Sequence, residues 1–304
     1  MATMSPTDVN NLQTTANGLV HHHEPKPKSL KARLQKGECL YGISLQSFSS
    51  TMAEIAGWTG YDFIIIDLEH GFGGVSEALH CIQALTSTNT QVIVRVPEVN
   101  HVWVKKVLDL GPHGLIFPLV DGPETAKKAV SYCRFPPYGV RGVATSIVRA
   151  SRFGMDPEYA REYWKDLLIL CQVETEEAVN KVAEIAAVEG VDGIMVGPSD
   201  LCASVGCMRE PKNEKVREMM RKIETTVLAA EKKEGGGPFL AAMAMPFEGA
   251  TVDEFSKRGY QLIRGATDVG LFKNVCVEDV KKFNLKKAIQ AQNVAHADAS
   301  IARQ

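Results

Sequence analysis

The feature that most constrains the fold is an alternation of short apolar runs with longer amphipathic segments, which starts near Ser29. Runs buried on both faces are typical of strands in a parallel sheet, and the amphipathic segments are typical of helices that cover such a sheet. Eight runs predict a single (β/α)8 barrel over residues 29–280 rather than a two-layer α+β fold. The predicted strands are Leu40–Leu45, Phe63–Asp67, Val92–Val96, Gly114–Val120, Leu167–Glu174, Gly193–Gly197, Phe239–Met245 and Gln261–Gly265.

Three segments fall outside this alternation. Residues 1–28 are rich in Thr, Asn, His, Pro and Lys and poor in large apolar side chains, which predicts a disordered tail. Residues 281–304 follow eight complete units and are predicted to form an extra C-terminal helix and tail, for which docking on a neighbouring subunit is one use. Residues 135–166 form a long insertion with several prolines and glycines, and long loops inside compact domains are usually functional.

Composition narrows the range of partners and compartments. The 304 residues carry a formal net charge of −2, which gives no reason to expect nucleic acid or an anionic membrane as partner. No stretch reaches the ~18 apolar residues of a membrane span, and the N-terminal residues lack a signal-peptide core. The seven scattered cysteines indicate free thiols in a reducing compartment. We therefore expect a cytoplasmic protein.

Polar residues stand at the ends of several predicted strands, where active sites of (β/α)8 barrels are built. Glu174 and Asp200 end consecutive strands, so their carboxylates are expected to converge. Oxygen ligands without a cysteine or a second histidine suit a hard divalent ion, Mg²⁺ or Mn²⁺, with Co²⁺ as a further option. Taken singly, each carboxylate has an alternative interpretation as a cap of the segment that follows it. The matched pair favours the metal site.

A histidine and an arginine accompany these carboxylates. His70 follows the second strand, close to Asp67 and Glu69, and a histidine held by a carboxylate is the usual general base near neutral pH. The alternative is a surface histidine in a loop. Arg95 ends the third strand inside an apolar run, where a guanidinium is costly unless it meets an anion such as a substrate carboxylate. The alternative is a structural ion pair with Glu69 or Asp67.

Two further strand ends bear on the substrate. Gly197–Leu201 reads as a tight turn whose backbone N–H groups are expected to cradle a substrate carboxylate beside the metal. The eighth strand ends in Arg264–Asp268, which lacks a glycine-rich phosphate cradle and argues against a phosphorylated substrate. The predicted substrate-binding residues are Arg95, Gln172, Gly197, Pro198 and Ser199.

Five motifs, taken together, resemble those of the HpcH/HpaI aldolases, the class II, metal-dependent pyruvate aldolases that include 2,4-dihydroxyhept-2-ene-1,7-dioate aldolase and 2-keto-3-deoxy sugar-acid aldolases. The resemblance extends over most of the chain, from about Ser29 to Lys273. The motifs are Asp67-Leu68-Glu69-His70, Arg95 at the third strand, the loop Phe135 to Gly142, Gln172-Val173-Glu174-Thr175, and the block Glu189 to Leu201.

The resemblance implies a barrel of the phosphoenolpyruvate/pyruvate type in a homo-oligomer, a hexamer or trimer, with C-terminal helices exchanged between subunits. It implies that Glu174 and Asp200 bind the metal and that pyruvate chelates it. It further implies that Arg95 stabilises the enolate oxygen and that His70, oriented by Asp67, is the acid/base. No lysine ends a strand, which is consistent with a metal route rather than a Schiff base.

The first functional hypothesis is thus a lyase that makes or cleaves 4-hydroxy-2-oxo acids from pyruvate and an aldehyde through a metal-bound enolate. The alternative keeps the site but changes the reaction to oxaloacetate decarboxylation or to macrophomate synthase-like use of the enolate. Departures from the family pattern, which lie where the aldehyde would be selected, keep this alternative open: the first strand lacks a tryptophan, Gly71–Gly74 follow the histidine, and the seventh strand lacks a polar ending. A β-hydroxyacyl-CoA lyase and a non-catalytic barrel are less favoured.

Overall fold

The computed structural model describes residues 12–14, 20–22, 28–208, 210, 212–231, 237–244 and 251–301. Most of residues 1–28, the predicted disordered tail, lies outside the described residues, and its disorder stays a prediction. Within that range the structure describes two short strands, Leu12–Thr14 and Val20–His22, which pair antiparallel.

Eight parallel strands close into a barrel in chain order, with the eighth strand pairing with the first. This confirms the predicted (β/α)8 fold, and every predicted strand is present with ends that differ by a few residues. The strands are β1 (Leu40–Leu45), β2 (Phe63–Asp67), β3 (Gln91–Arg95), β4 (Gly114–Phe117), β5 (Leu168–Val173), β6 (Gly193–Val196), β7 (Phe239–Met243) and β8 (Tyr260–Thr267).

Helices follow the strands and cover the outside of the barrel, and one additional helix precedes the first strand. They are α1 (Leu30–Gln35), α2 (Ser50–Trp58), α3 (Val75–Leu85), α4 (His101–Leu110), α5 (Pro123–Cys133), α6 (Tyr159–Asp166), α7 (Glu176–Asn180), α8 (Val182–Ala187), α9 (Pro198–Ser204), α10 (Glu214–Ala229), α11 (Val252–Lys257) and α12 (Asp268–Ile301).

The strands are buried on both faces, as their apolar sequences predict. One core cluster fills the barrel interior, and a larger one lies between the strands and the helices. Helix α1 closes the amino-terminal end of the barrel, because its Leu30 and Leu34 are buried with the interior cluster. Gln91, at the start of β3, fixes this helix: its amide oxygen accepts from the Leu30 N–H at 2.7 Å, and its Nε2 donates to the Lys28 carbonyl at 2.7 Å.

The insertion at residues 135–166 is anchored to the barrel by a buried arginine. The Arg141 guanidinium lies over the rings of Phe135, Tyr159 and Tyr163, and its Nη2 donates to Asp109 at 3.1 Å. Stacking of a planar guanidinium on aromatic faces stabilises such a packing. This arginine is the one in the family loop motif, so in this chain the motif's arginine serves to fix the insertion.

The C-terminal helix is longer than the sequence pattern predicted. It begins at Asp268, directly after β8, and runs for 34 residues to Ile301. The predicted boundary at residue 281 marks no break in the described helix. The physical reason is that residues 271–301 contain neither glycine nor proline, so nothing in the sequence ends the helix there.

Candidate active site

The carboxyl ends of the strands gather the residues predicted for the site. Asp67 and Arg95 are the last residues of β2 and β3, and the two lie directly opposite each other in the pairing of these strands. Gln172 lies in β5, and Glu174 follows its last residue. The segment that begins at Gly197 leads from β6 into α9. Parallel strands place all these positions at one end of the barrel.

Asp67 and Arg95 form a buried bidentate ion pair. Arg95 Nε donates to Asp67 Oδ1 at 2.8 Å, and Nη2 donates to Oδ2 at 2.6 Å. Asp67 is fully buried, and burial tends to raise its pKa. The hydrogen bonds and charge of Arg95, with smaller help from Gln46 and a backbone N–H, outweigh burial and hold the pKa of Asp67 below its usual value. The carboxylate therefore stays ionised.

The expected orientation of His70 by Asp67 needs correction. Within this segment the Asp67 carboxylate accepts backbone N–H groups, from Glu69 at 3.2 Å and His70 at 3.3 Å, and its side-chain donors are Arg95 and Gln46 rather than the imidazole. The carboxylate near the imidazole is Glu69, whose Oε1 lies 3.7 Å from His70 Nε2. The imidazole itself is 60% exposed at the barrel mouth.

Glu69 links the histidine to the arginine. Its Oε2 lies 2.8 Å from Arg95 Nη1, so both carboxylates of the motif pair with this guanidinium. The contacts of Arg95 therefore match the alternative interpretation, in which this residue forms an ion pair with Glu69 or Asp67. Burial raises the pKa of Glu69, Arg95 opposes the rise, and the charges of Asp67 and Asp200 add to it. Arg95 has five N–H groups, so pairing with two carboxylates does not exhaust its donors.

Glu174 is a buried carboxylate with two donors. Its Oε1 accepts from the Leu119 backbone N–H at 2.7 Å, and its Oε2 accepts from the Gln172 amide. Burial raises the pKa of Glu174 to about 7; these two hydrogen bonds oppose the rise, and the charges of Asp200 and Glu69 add to it. Three carboxylates therefore repel one another across the mouth, and a cation placed among them would relieve that repulsion.

The segment after β6 is the start of helix α9 rather than a free turn. Gly197 donates its N–H to the Val173 carbonyl at 3.2 Å, and Pro198 has no N–H. The expected backbone cradle is therefore reduced to Ser199 and Asp200, in the first turn of the helix, where N–H groups have no partner within the helix. A Cβ at position 197 would lie 2.5 Å from Glu174 Oε2, so only glycine permits this close approach.

Two polar groups at the mouth were not assigned a role from the sequence. Asp268, the first residue of α12, accepts the backbone N–H of Gln46 at 2.8 Å and of Ser47 at 3.1 Å, and so fixes the loop after β1. Arg264, in β8, is a partly buried cation; burial and the charge of Arg95 lower its pKa to about 10, against the pull of Asp67. In the sequence, the feature that could have identified both residues is their position at the end of the eighth predicted strand.

Comparison with known proteins agrees with this geometry. The family model described as HpcH/HpaI aldolase/citrate lyase matches residues 40–275. Over 197 residues the chain is 41% identical to the 2-keto-3-deoxy-L-rhamnonate aldolase of Escherichia coli (strain K12), which covers 65% of this chain and 73% of that protein.

Solved structures share the fold. A HpcH/HpaI aldolase/citrate lyase family protein from Burkholderia cenocepacia J2315 matches with a TM-score of 0.77 and 31% identity, over 84% of this chain and 98% of that one. Macrophomate synthase matches with a TM-score of 0.74 and 24% identity, over 94% of this chain and 99% of that one, a likeness that bears on the fold alone.

The described part of the chain contains no helix of the length and hydropathy needed to cross a membrane. The family model spans most of the chain, and the matched residues include both neighbouring strand ends with their carboxylates. The protein belongs to the HpcH/HpaI aldolase/citrate lyase family and, as its sequence predicts, is a carbon–carbon lyase of the aldolase type.

Proposed function

We propose that this enzyme cleaves and forms 4-hydroxy-2-oxo acids, with pyruvate and an aldehyde as the other side of the reaction. The observation that carries the proposal is the placement of Glu174 and Asp200 after the neighbouring strands β5 and β6, at the end of the barrel where Arg95 ends β3. An anionic 2-oxo acid meets a cationic guanidinium on one side and a pair of carboxylates suited to a cation on the other.

The donor set fits a hard divalent ion. Glu174 and Asp200 offer carboxylate oxygens, and no described group of three or more His, Cys, Asp or Glu side chains is arranged to hold a metal by itself. Mg²⁺ is usually held by one or two carboxylates, with water and substrate oxygens in the remaining positions. When bound, such an ion supplies Lewis-acid stabilisation of the negative charge that develops on the 2-oxo group. We propose Mg²⁺ or Mn²⁺, with Co²⁺ as a further option.

The protein groups then divide the remaining work of cleavage. His70 removes the proton of the substrate's 4-hydroxyl, the C3–C4 bond breaks, and the electron pair moves onto the pyruvate enolate. The free N–H groups of Arg95 donate to the enolate oxygen as its charge grows. A proton delivered to C3 then gives pyruvate, and the aldehyde leaves. Glu69 holds the His70 imidazole at the barrel mouth, and Asp67 fixes the orientation of the Arg95 guanidinium. The first-turn N–H groups of Ser199 and Asp200, with the Gln172 amide, bind the substrate carboxylate.

The alternative reaction, decarboxylation of oxaloacetate or macrophomate synthase-like capture of the enolate, is supported by one feature. The interior face of β7 is apolar up to its last residue, Met243, where a polar residue is expected. A carboxylate that leaves as neutral CO₂ is favoured by apolar surroundings, since its charge is lost in the reaction. The same Arg95 and carboxylate pair would serve both reactions.

We also propose that the enzyme is a cytoplasmic homo-oligomer, a hexamer or a trimer. The helix α12 presents Phe272, Val275 and Phe283 on one face, and each of these side chains is 67% exposed. Apolar side chains at this spacing on a long helix are typical of a surface that packs against another protein, here a second copy. All seven cysteines are free, which supports the reducing compartment.

The test uses metal-stripped enzyme with oxaloacetate, and with pyruvate plus a panel of aldehydes, each with and without Mn²⁺. Metal-dependent aldol product supports the lyase, and decarboxylation alone supports the alternative. Glu174→Ala and Asp200→Ala should each lower metal-dependent turnover by at least about 100-fold. Replacing even a residue that only hydrogen-bonds to a metal ligand typically lowers activity by about 10–100-fold. Glu177→Ala, an exposed carboxylate paired with Lys181, is the matched control. Full activity of either variant with a chelator present would contradict the proposal.

A further inference from the structure

Two cysteines stand at the end of the short helix α9, which begins beside the candidate metal site. The N–H of Cys207 donates to the Cys202 carbonyl at 2.8 Å. Inside this hydrogen bond, the N–H of Gly206 donates to the Ala203 carbonyl at 3.0 Å, and Gly206 has a φ of 76°, in the left-handed region. These contacts define a Schellman motif, the turn that commonly ends a helix. Cys202 and Cys207 occupy its two outer positions.

The motif brings the two cysteine side chains together. The residues at its outer positions ordinarily make side-chain contact with each other. The Cys207 thiol also turns back over the motif, because its Sγ donates to the Val205 carbonyl at 3.6 Å. The hydrogen bond between Cys207 and Cys202, with the covalent bonds on either side of it, keeps their Cα atoms less than about 7 Å apart. Disulfides form between Cα atoms about 4.4–6.8 Å apart, so this pair is within reach of one.

The two thiols differ in exposure, which gives them different parts in an oxidation. Cys207 is partly exposed, so a small molecule can reach it. Cys202 is 3% exposed and belongs to the core cluster between the strands and the helices, so the neighbouring sulfur of Cys207 is its accessible reaction partner. An accessible cysteine with a second, resolving cysteine beside it is the usual arrangement of a redox-sensing site.

We propose that Cys202 and Cys207 form a reversible disulfide whose formation weakens metal binding at Asp200. The oxidant is a small-molecule disulfide. The Cys207 thiolate attacks one of its sulfurs and expels a first thiolate, and the Cys202 thiolate then attacks the Cys207 sulfur of the mixed disulfide and expels the second. The protein loses two electrons and two thiol protons, which end on the two released small thiols. The closed loop is short, so the bond adds little stability and stays open to reduction.

The link to the metal rests on the proposed function, because it takes Asp200 to be a metal ligand. Asp200 and Cys202 are two residues apart in α9, which is about 3 Å along the helix axis. An S–S bond of about 2.05 Å pulls the cysteine side chains closer than van der Waals contact. Because α9 has only seven residues, this pull acts on the turn that carries Asp200. Metal coordination tolerates little error in ligand distance, so a shifted carboxylate should bind the ion less tightly.

Mass spectrometry tests the disulfide without turnover. The tryptic peptide 182–209 carries these two cysteines and no other. After metal-stripped enzyme is incubated with oxidised glutathione, this peptide should resist alkylation and weigh less by two hydrogen atoms. Cys207→Ser should abolish that change, and Cys276→Ser, which removes an exposed cysteine of α12, is the matched control and should keep it. A peptide that stays fully alkylated at every ratio of oxidised to reduced glutathione would overturn the proposal.

Electron paramagnetic resonance of Mn²⁺ tests the link to the metal. The oxidised wild type should bind Mn²⁺ about 10-fold more weakly than the reduced wild type, the lower end of the range for changes next to a metal ligand. Excess reduced glutathione should restore the affinity. Cys207→Ser should bind Mn²⁺ like the reduced wild type, with or without oxidant. Equal affinities of the oxidised and reduced wild type would overturn the proposal.

Two results separate failure of this inference from failure of the proposed function. If the reduced enzyme forms no aldol product but oxidation still lowers its Mn²⁺ affinity through Cys207, the redox pair stands and the assigned reaction fails. If the reduced enzyme forms aldol product with Mn²⁺ and oxidation changes neither peptide 182–209 nor the Mn²⁺ affinity, the proposed function stands and this inference fails.

Discussion

The two ends of the barrel are built from the same eight strands, yet they treat polar groups in opposite ways. At the amino-terminal end, α1 covers the opening with Leu30 and Leu34, and the buried Gln91 has a hydrogen bond on each side of its amide. At the carboxyl end, the buried Gln172 Oε1 and Arg264 Nε have no partner among the described residues. The buried amide at the closed end thus has its hydrogen-bond partners, whereas the open end keeps a buried donor and a buried acceptor without partners.

This difference separates the stability of the fold from its chemistry. Apolar burial at the closed end stabilises the barrel without involving the site, since each fully buried leucine contributes about 1.5–3 kcal/mol. Unpaired buried polar atoms at the open end cost stability and are expected where a ligand supplies the missing partners. Substitutions at the two ends should therefore differ in their effect on catalysis, whereas either can lower the stability of the fold.

Asp67→Asn should produce the largest effect, because it leaves the buried Arg95 without its bidentate partner. Breaking a buried ion pair from one side costs about 3–5 kcal/mol of unfolding free energy. Because the folded pKa of Asp67 lies below its usual value, the stability it contributes is fully present above pH 3.8 and is lost as the pH falls through the folded pKa. Urea unfolding should thus show a constant gap to wild type from pH 7 to 5 that narrows only below pH 3.8.

The control for that prediction is the exposed pair of Lys127 and Glu124, which are 2.6 Å apart. Glu124→Gln should leave the unfolding free energy close to that of wild type, because both side chains are in water. An equal cost for the two substitutions would contradict the special role of the Asp67–Arg95 pair.

Leu34→Ala, at the closed end, should lower the stability of the fold without changing the chemistry. The side chain is 1% exposed, and removal of a buried leucine leaves a cavity that costs about 2–5 kcal/mol. The catalytic rate per folded molecule should stay within about twofold of wild type at a temperature where both are folded. Chemical unfolding and steady-state kinetics on the same preparation check this, and a parallel loss of kcat would show that the two ends are coupled.

Glu69→Gln should give the smallest effect of the three. The substitution removes the charge that lies near both His70 and Arg95 while it keeps the shape of the side chain. We expect kcat to fall about 10-fold, the lower part of the range for groups that orient a functional residue, with a change of at most about 1 kcal/mol in unfolding free energy. A loss as large as that of Asp67→Asn would assign Glu69 to the structural pair instead.

Most of the fold and the strand-end residues followed from the sequence. Apolar runs bounded by polar residues are local patterns, and parallel packing brings their ends together, so Arg95, Glu174 and Asp200 were predictable. Contacts between distant segments followed only in part: the ion pair of Arg95 with Asp67 or Glu69 was one of two open interpretations, and strand pairing is what brings Arg95 rather than His70 to Asp67. Leu119 carries no polar signal at all, since it acts through its backbone N–H at a φ of 50°.

The C-terminal helix α12 begins at the carboxyl end of the barrel, beside the candidate active site. Asp268 binds the backbone of Gln46, and the Gln46 side chain donates to Asp67 at 3.2 Å, so a line of direct contacts joins the first turn of α12 to the Asp67–Arg95 pair. A substitution that shifts the first turn of α12 can therefore reach the Asp67–Arg95 pair through a single intermediate residue, Gln46. For this chain, the outer helix and the buried ion pair are mechanically coupled.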